Sequence, residues 1–155
     1  MTMKISKIMS APAITVTENE SLETAARKML DSGIGGLPVV DANGKLVGIV
    51  TESSFTARSK GVPFSTFRAP HLLGRWISGE GVDKIYQEAR ETPVADVMAG
   101  PVVTVSENDT VTRAVELMLK HDVNRLPVVR DGRPVGIVAR HDLLRMMMAD
   151  LDDQR

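Results

Sequence analysis

The residue types that most often catalyse reactions lie far apart in this sequence. His71, His121 and His141 have neither the His-x-x-x-His nor the Glu-x-x-His spacing of a metal site, and cysteine is absent. Ser53-Ser54 lacks the flanking glycines of a Gly-x-Ser-x-Gly nucleophile turn. Paired carboxylates and a nucleophile beside a base are also missing. We therefore predict no catalytic residue and no metal site, and a protein that is not an enzyme.

Charge and composition exclude further classes. The segment Gly33-x-Gly35-Gly36 follows a predicted helix and enters a predicted strand, which is the reverse of the order in a dinucleotide-binding site. A net charge of −1 argues against a general nucleic-acid binder, which needs a basic face. No apolar run approaches the roughly 20 residues of a membrane helix, and none after Lys7 is typical of a signal peptide. Together with the absence of cysteine, these features predict a cytoplasmic protein without a membrane partner.

The chain repeats itself at an offset of 89 residues, so that Met9 matches Met98 and Thr15-Val16 matches Thr104-Val105. After a one-residue gap at Asn43 the match continues. The longer matching runs are Leu37-Pro38-Val39-Val40 with Leu126-Pro127-Val128-Val129, and Val47-Gly48-Ile49-Val50 with Val135-Gly136-Ile137-Val138. The sequence therefore contains a duplicated unit.

Each copy predicts the order β-α-β-β-α. Apolar residues at i, i+3, i+4, i+7 and i+8 predict one buried face on each first helix. These faces are Leu22, Ala25, Ala26, Met29 and Leu30 in the first copy, and Val111, Ala114, Val115, Met118 and Leu119 in the second. Asn43-Gly44 and Asp131-Gly132 predict tight turns with positive φ between two β-branched runs. Closing helices are expected to begin near Ser53 and His141.

The fold class is therefore α/β, with tandem repeats packed in pseudo-two-fold symmetry. We assign 1–55 to the first repeat, 56–93 to a helical connector, 94–150 to the second repeat and 151–155 to a frayed tail. Trp76 is expected to hold the connector against the repeats. One copy of about 50 residues buries too little surface to be stable alone, so two copies should pack together and leave clefts suited to a ligand.

The order of these motifs resembles the CBS domain, and the duplication resembles a CBS domain pair, or Bateman module. The resemblance covers about Ile5 to Phe55 and Val94 to Ala149. It implies binding of AMP, ADP, ATP or S-adenosylmethionine in clefts between the repeats. It also implies disc-like homodimers and regulation of a partner protein in trans. The ligand, its number of phosphates, the number of occupied clefts, the partner and the role of the connector stay open.

The ligand motif of that family is Gly-h-h-Thr/Ser-x-x-Asp, where h is apolar. A hydroxyl and helix-start N–H groups can donate to a phosphate, and a carboxylate can accept from both ribose hydroxyls. This sequence divides the motif: the first copy has Thr51 but Ser54 in place of the Asp, and the second has Asp142 but Ala139 in place of the hydroxyl. The cleft that keeps the carboxylate is expected to be the better site.

By this resemblance the main cleft comprises Ser10, Ala11, Pro12, Ala13, Gly35, Gly36, Ala139, Arg140, His141 and Asp142. The weaker second cleft comprises Thr51, Ser54, Ala99, Gly100, Pro101, Val102, Asn124 and Arg125. Gly35-Gly36 would leave room for a base or ribose, and Arg140 and His141 could replace the missing hydroxyl as phosphate donors. Each polar residue also has a structural interpretation. Asp142 would cap the last helix, Arg140 and His141 would be solvated, Arg125 would form a salt bridge between repeats, and Thr51 would be structural.

Two functional hypotheses follow. The first is a regulatory adenosyl-nucleotide sensor in signal transduction, in which the ligand binds one conformation better than another. The alternative is a structural or interaction module that dimerises and no longer binds a ligand, since both motif copies are incomplete. Met146-Met147-Met148 cannot all face one core, so at least one should be exposed, and we expect a self-association surface there.

Overall fold

The computed structural model describes residues 3–56, 87 and 90–153, and for residues 56 and 149–153 it describes the backbone alone. Nearly all of the predicted connector, including Trp76 and His71, lies outside these residues. The strands are β1 (Val16–Thr17), β2 (Gly36–Val40), β3 (Leu46–Thr51), β4 (Val105–Ser106), β5 (Arg125–Arg130) and β6 (Arg133–Ala139). The α-helices are α1 (Leu22–Ser32), α2 (Val111–His121) and α3 (Arg140–Asp153), with 3-10 turns at Ile5–Lys7, Glu52–Thr56 and Val94–Asp96.

The chain divides into two compact units, each built around one three-stranded sheet. The first-sheet unit contains Thr15–Asn43 and Val47–Gly100, and the second-sheet unit contains Met1–Ile14, Gly44–Leu46 and Pro101–Arg155. Each sequence repeat therefore gives its leading segment to the unit that holds the other repeat's sheet. The repeats still describe how the sequence was duplicated, whereas the units describe which residues share a core.

The first-sheet unit has the strand order β1-β2-β3, with β1 parallel to β2 and Val16 opposite Val39. All five residues of β2 are buried, as expected for a central strand with an apolar run. Ser21 caps α1 by accepting from the Thr24 N–H at 3.2 Å, and α1 ends at Gly33 in the left-handed conformation. The core of this unit is formed by Val16, Leu22, Ala25, Met29, Leu37, Val39 and Val50 together with Val94 and Val97 from the leading segment of the second repeat.

The second-sheet unit repeats this design with the order β4-β5-β6. β4 is parallel to β5, and β6 returns antiparallel to β5 through a turn with positive φ at Asp131 and Gly132. This confirms the predicted turn, since an Asp-Gly pair tolerates two positive φ angles. Its core is formed by Val105, Ala114, Leu117, Met118, Leu126, Val128 and Val138 together with Ile5 from the leading segment of the first repeat. The α/β class is thus confirmed, and the second copy has the predicted order β-α-β-β-α. Where a closing helix was expected near Ser53 in the first copy, the described residues form the 3-10 turn Glu52–Thr56.

The predicted helix faces are wrong at one equivalent position in each copy. Leu30 is 81% exposed and Leu119 is 74% exposed, whereas we expected both to be buried. At about 100° per residue, Leu30 lies about 80° around the helix axis from Leu22, and Leu119 lies at the same angle from Val111. The buried residues that follow Leu22 and Val111 lie on the opposite side of these two positions. In α2 the buried face instead includes Leu117. At the C-terminal end, α3 continues to Asp153, within the predicted tail 151–155.

Candidate functional site

Each leading segment lies beside the last strand of the sheet in its unit. Ser10 and Ile137 exchange two backbone hydrogen bonds of 2.9 and 3.0 Å, and Ala99 and Ile49 exchange two of 2.9 and 3.1 Å. These contacts bring Ser10 close in space to the end of β6, where the second copy of the motif begins its helix. In the same way, the contacts with Ile49 bring Ala99 close to the end of β3, where the first copy of the motif begins its 3-10 turn.

The glycine of each motif copy is explained by this close approach. A Cβ on Gly136 would lie 2.9 Å from the Ser10 backbone oxygen and 2.9 Å from the Met9 sulfur. A Cβ on Gly48 would lie 3.1 Å from the Ala99 backbone oxygen and 2.5 Å from the Met98 sulfur. Glycine therefore stands in the motif so that the leading segment can approach the strand.

The carboxylate of Asp142 lies in the first turn of α3 and is only 5% exposed. Its Oδ2 accepts a hydrogen bond from the backbone N–H of Ala139 at 2.8 Å, as in the returning contact of a capping box. Its Oδ1 accepts a hydrogen bond from Nη2 of Arg145, one turn further along the helix. The structural role expected for Asp142 is thus confirmed, and its contact with a ligand stays a prediction.

Ser54 makes the equivalent contact in the first copy. It is 7% exposed, and its Oγ accepts a hydrogen bond from the backbone N–H of Thr51 at 3.0 Å. The hydroxyl of Thr51 lies 2.7 Å from that of Ser53. A neutral hydroxyl therefore satisfies the same backbone group that a carboxylate satisfies in the second copy, without a charge that could hold a ribose.

Arg140 and His141 are exposed at the start of α3, where the N–H groups of the first turn and the helix dipole favour an anion. The Arg140 N–H donates to the Asn124 oxygen at 3.1 Å, and Arg125 is opposite Ala139 in the β5–β6 register. Asn124 and Arg125 thus lie beside the motif copy that contains Asp142.

The corresponding contact in the first-sheet unit is between Glu52 and Gly35, whose oxygen accepts from the Glu52 N–H at 3.2 Å. Gly35-Gly36 thus lies beside the motif copy that contains Thr51 and Ser54. The duplication could have revealed this, because Gly35 and Asn124 are equivalent and both precede the central strand of their own copy.

The predicted residues therefore fall into two groups by unit. The second-sheet unit holds Ser10, Ala11, Pro12, Ala13, Pro101, Val102, Asn124, Arg125, Ala139, Arg140, His141 and Asp142. The first-sheet unit holds Gly35, Gly36, Thr51, Ser54, Ala99 and Gly100. Both predicted clefts take residues from each unit, so their assembly stays a prediction.

Metal sites and membrane spans are both absent from the part of the chain that the structure describes. The His, Asp and Glu side chains of this part form no group of three that could hold a metal ion. Over the same ranges, no helix is both long enough and apolar enough to cross a membrane.

Comparison with known proteins places this geometry in a family. The chain is 33% identical over 149 residues to the uncharacterized protein MJ1404 of Methanocaldococcus jannaschii, covering 96% of this chain but only 32% of that protein. This chain thus spans about a third of the length of MJ1404. Among solved structures, it is similar to the CBS domain of a CBS domain containing membrane protein from Sphaerobacter thermophilus, with 41% identity and a TM-score of 0.75, covering 92% of this chain and 86% of that one.

A second solved structure contains bound ligands. The CBS domain pair of protein MJ0100, in complex with 5′-methylthioadenosine and S-adenosyl-L-methionine, is 26% identical with a TM-score of 0.71, covering 97% of this chain and 99% of that one. The family model described as CBS domain matches residues 5–60 and 94–149, close to the two predicted repeats. Because these matches cover more than half of the sequence, the chain belongs to the CBS domain family, with two CBS domains in tandem.

Proposed function

We propose that this chain is a regulatory module that binds an adenosyl ligand, such as AMP, ADP, ATP or S-adenosylmethionine, and acts in trans on a partner protein. The observation that carries the proposal is the Asp142 carboxylate, fixed at the start of α3 next to exposed Arg140 and His141. The adenosyl ligands in the MJ0100 pair support this class of ligand. The module itself has no catalytic step in this proposal.

The main site is built on the second-sheet unit. In this proposal Asp142 accepts the ribose hydroxyls, as the resemblance implies for the carboxylate of the motif. Arg140 and His141 bind a phosphate or carboxylate of the ligand, and Arg125, opposite Ala139, is a further cation for it. The segment 10–13 offers backbone groups beside β6, and Gly35-Gly36 provides the space for a base as the resemblance implies.

The second site is weaker. Ser54 satisfies the Thr51 N–H without supplying a charge, and a neutral hydroxyl forms a weaker hydrogen bond with a ribose than a carboxylate does.

Ligand binding at the main site regulates only if the ligand binds one conformation of the module more tightly than another. Cytoplasmic location belongs to this proposal and is supported by the absence of cysteine.

Thermal unfolding with millimolar AMP, ADP, ATP, S-adenosylmethionine and NADH tests the proposal. A ligand at 100 times its Kd stabilises the folded state by about 2.7 kcal/mol, which raises Tm by several degrees. Asp142→Asn is the informative variant, since the amide oxygen can still accept from the Ala139 N–H while the charge is lost. We expect this variant to lose the ligand-dependent shift and Ser54→Ala to keep it. An equal shift in Asp142→Asn and the unchanged protein would exclude the carboxylate as the ligand's anchor.

The alternative is a structural or interaction module that dimerises without a ligand. One observation favours it: Asp142 is almost completely buried, and both of its oxygens already have internal partners. Absence of a Tm shift with every adenosyl compound would support this alternative against the sensor.

In both cases we propose a homodimer. Leu144, Met147 and Met148 are exposed on α3, which confirms that the methionine run is not entirely buried. Exposed apolar side chains grouped on one helix favour association, and the flexible thioethers of methionine adapt to a partner surface. A second copy of the chain is the partner we assign to this surface.

A further inference from the structure

We infer that Arg145 is a built-in competitor of the ligand: it occupies the Asp142 carboxylate in the free module and must release it for an adenosyl ribose to bind. This inference rests on the proposed function, because it concerns regulation of the same site. Arg145 is thus a residue that sets ligand affinity by acting through Asp142.

Burial limits access to the carboxylate of Asp142. Asp142 is 5% exposed, so a ribose hydroxyl cannot reach it unless a neighbouring group moves. Its two described partners are the Ala139 N–H on Oδ2 and the Arg145 Nη2 on Oδ1. The Ala139 N–H belongs to the backbone that joins β6 to α3 and cannot leave without unwinding the helix start. Arg145 is the partner that can leave, since its side chain is 61% exposed and can be hydrated when released.

The two motif copies differ at the position of Arg145 as well as at the position of Asp142. At the position of Asp142 the first copy has Ser54, and at the position of Arg145 it has Ala57, which lies outside the described residues. Ser54 satisfies the backbone N–H by itself and carries no charge. At this aligned position, an arginine thus accompanies the carboxylate in the second copy, and an alanine accompanies the serine in the first. This is what electrostatics requires, since a buried carboxylate without a partner is costly.

Arg145 and a ribose hydroxyl compete for Oδ1 of Asp142. A ribose presents two adjacent hydroxyls, and binding both to one carboxylate uses Oδ1 as well as Oδ2. Because the carboxylate is only 5% exposed, a ribose hydroxyl can reach Oδ1 only in place of a group that covers it. Arg145 donates to Oδ1 and is the described partner that can leave, so the ligand replaces this charge-assisted hydrogen bond. An ion pair with one exposed partner is weak, so the penalty on ligand affinity is moderate, about fivefold.

Arg145→Gln tests this inference by isothermal titration calorimetry with S-adenosylmethionine and AMP, accompanied by urea unfolding of the free protein. We expect the variant to be less stable than the unchanged protein and yet to bind about fivefold more tightly. Arg145→Lys should restore the lower affinity, since an ammonium can also reach Oδ1. The matched control is Arg113→Gln, which removes another i, i+3 ion pair of the same unit, with Glu116 at 3.9 Å, and should leave the affinity unchanged.

The opposite sign of the two effects separates this role from a structural one, which would lower stability and affinity together. Unchanged or weaker binding by Arg145→Gln, with clear binding by the unchanged protein, would overturn the inference and leave the proposed function standing. Binding by Arg145→Gln alone would support the inference in its strongest form. Absence of binding in both proteins would contradict the inference and the adenosyl sensor together.

Discussion

The backbone N–H of Thr51 donates to Oγ of Ser54 at 3.0 Å, and this contact reproduces in the first CBS domain what a carboxylate does in the second, where the Ala139 N–H donates to Asp142. The duplicated chain has thus kept the geometry of the helix start in both copies but the charge in only one. The loss of the motif Asp in the first copy removes a candidate ribose acceptor without leaving the backbone N–H unpaired.

Ser54→Ala should lower the free energy of unfolding by about 1 kcal/mol, because the Thr51 N–H loses its acceptor in a nearly dry environment. Equilibrium unfolding in urea measures this change. Ser53→Ala is the control, since Ser53 is exposed and its hydroxyl lies 2.7 Å from the hydroxyl of Thr51. Equal effects of the two substitutions would contradict the role given to Ser54.

Gly136→Ala should destabilise the protein by roughly 1–3 kcal/mol, since the new Cβ would press on backbone as well as on a flexible methionine. Gly136 would place that Cβ 2.9 Å from the Ser10 oxygen, and this atom is held by its hydrogen bond with Ile137. Gly100→Ala provides the comparison, because its Cβ would lie at an ordinary 3.6 Å from the Val47 oxygen. Urea midpoints that fall equally in both variants would argue against the close approach described above.

Ile5→Ala should lower the free energy of unfolding by about 2–5 kcal/mol, as expected for a large apolar side chain that is completely buried. Because Ile5 belongs to the core that contains Leu126 and Val128, amide hydrogen exchange should accelerate in β5 before it does in β2. Ile14→Ala, at a 40% exposed position, should have little effect. Faster exchange in β2 than in β5 would mean that the leading segment stabilises its own repeat instead.

Met147→Lys should shift the protein from dimer to monomer, because an exposed apolar side chain on α3 would be replaced by a charge that must stay hydrated. Mass photometry or light scattering over a concentration series measures the change. The matched control is Leu30→Lys, which places the same charge at an exposed apolar position in the first-sheet unit. A monomeric unchanged protein would remove the homodimer proposal, and a dimer lost only in Leu30→Lys would move the interface away from α3.

Much of the fold follows from local chemistry and could be predicted. The Asp131-Gly132 turn, the buried run of β2 and the amphipathic helices α1 and α2 depend on residues near each other in sequence. The same periodicity failed for Leu30 and Leu119, because the edge of an apolar stripe is decided by what packs against the helix.

The sequence by itself determined the duplicated α/β architecture, the CBS family and the division of the ligand motif between Ser54 and Asp142. Only the tertiary structure showed that Ile5 and Val94 complete the core of the other repeat's sheet, and that Arg145 holds the Asp142 carboxylate. The physical reason is that Ile5 and Val94 are far along the chain from the cores they complete, and that the contact of Arg145 with Asp142 depends on the direction of its side chain. The periodicity of apolar residues indicates which side of a helix or strand is buried. The residues that contact that side depend on strand pairing and on helix orientation, which the local sequence does not specify.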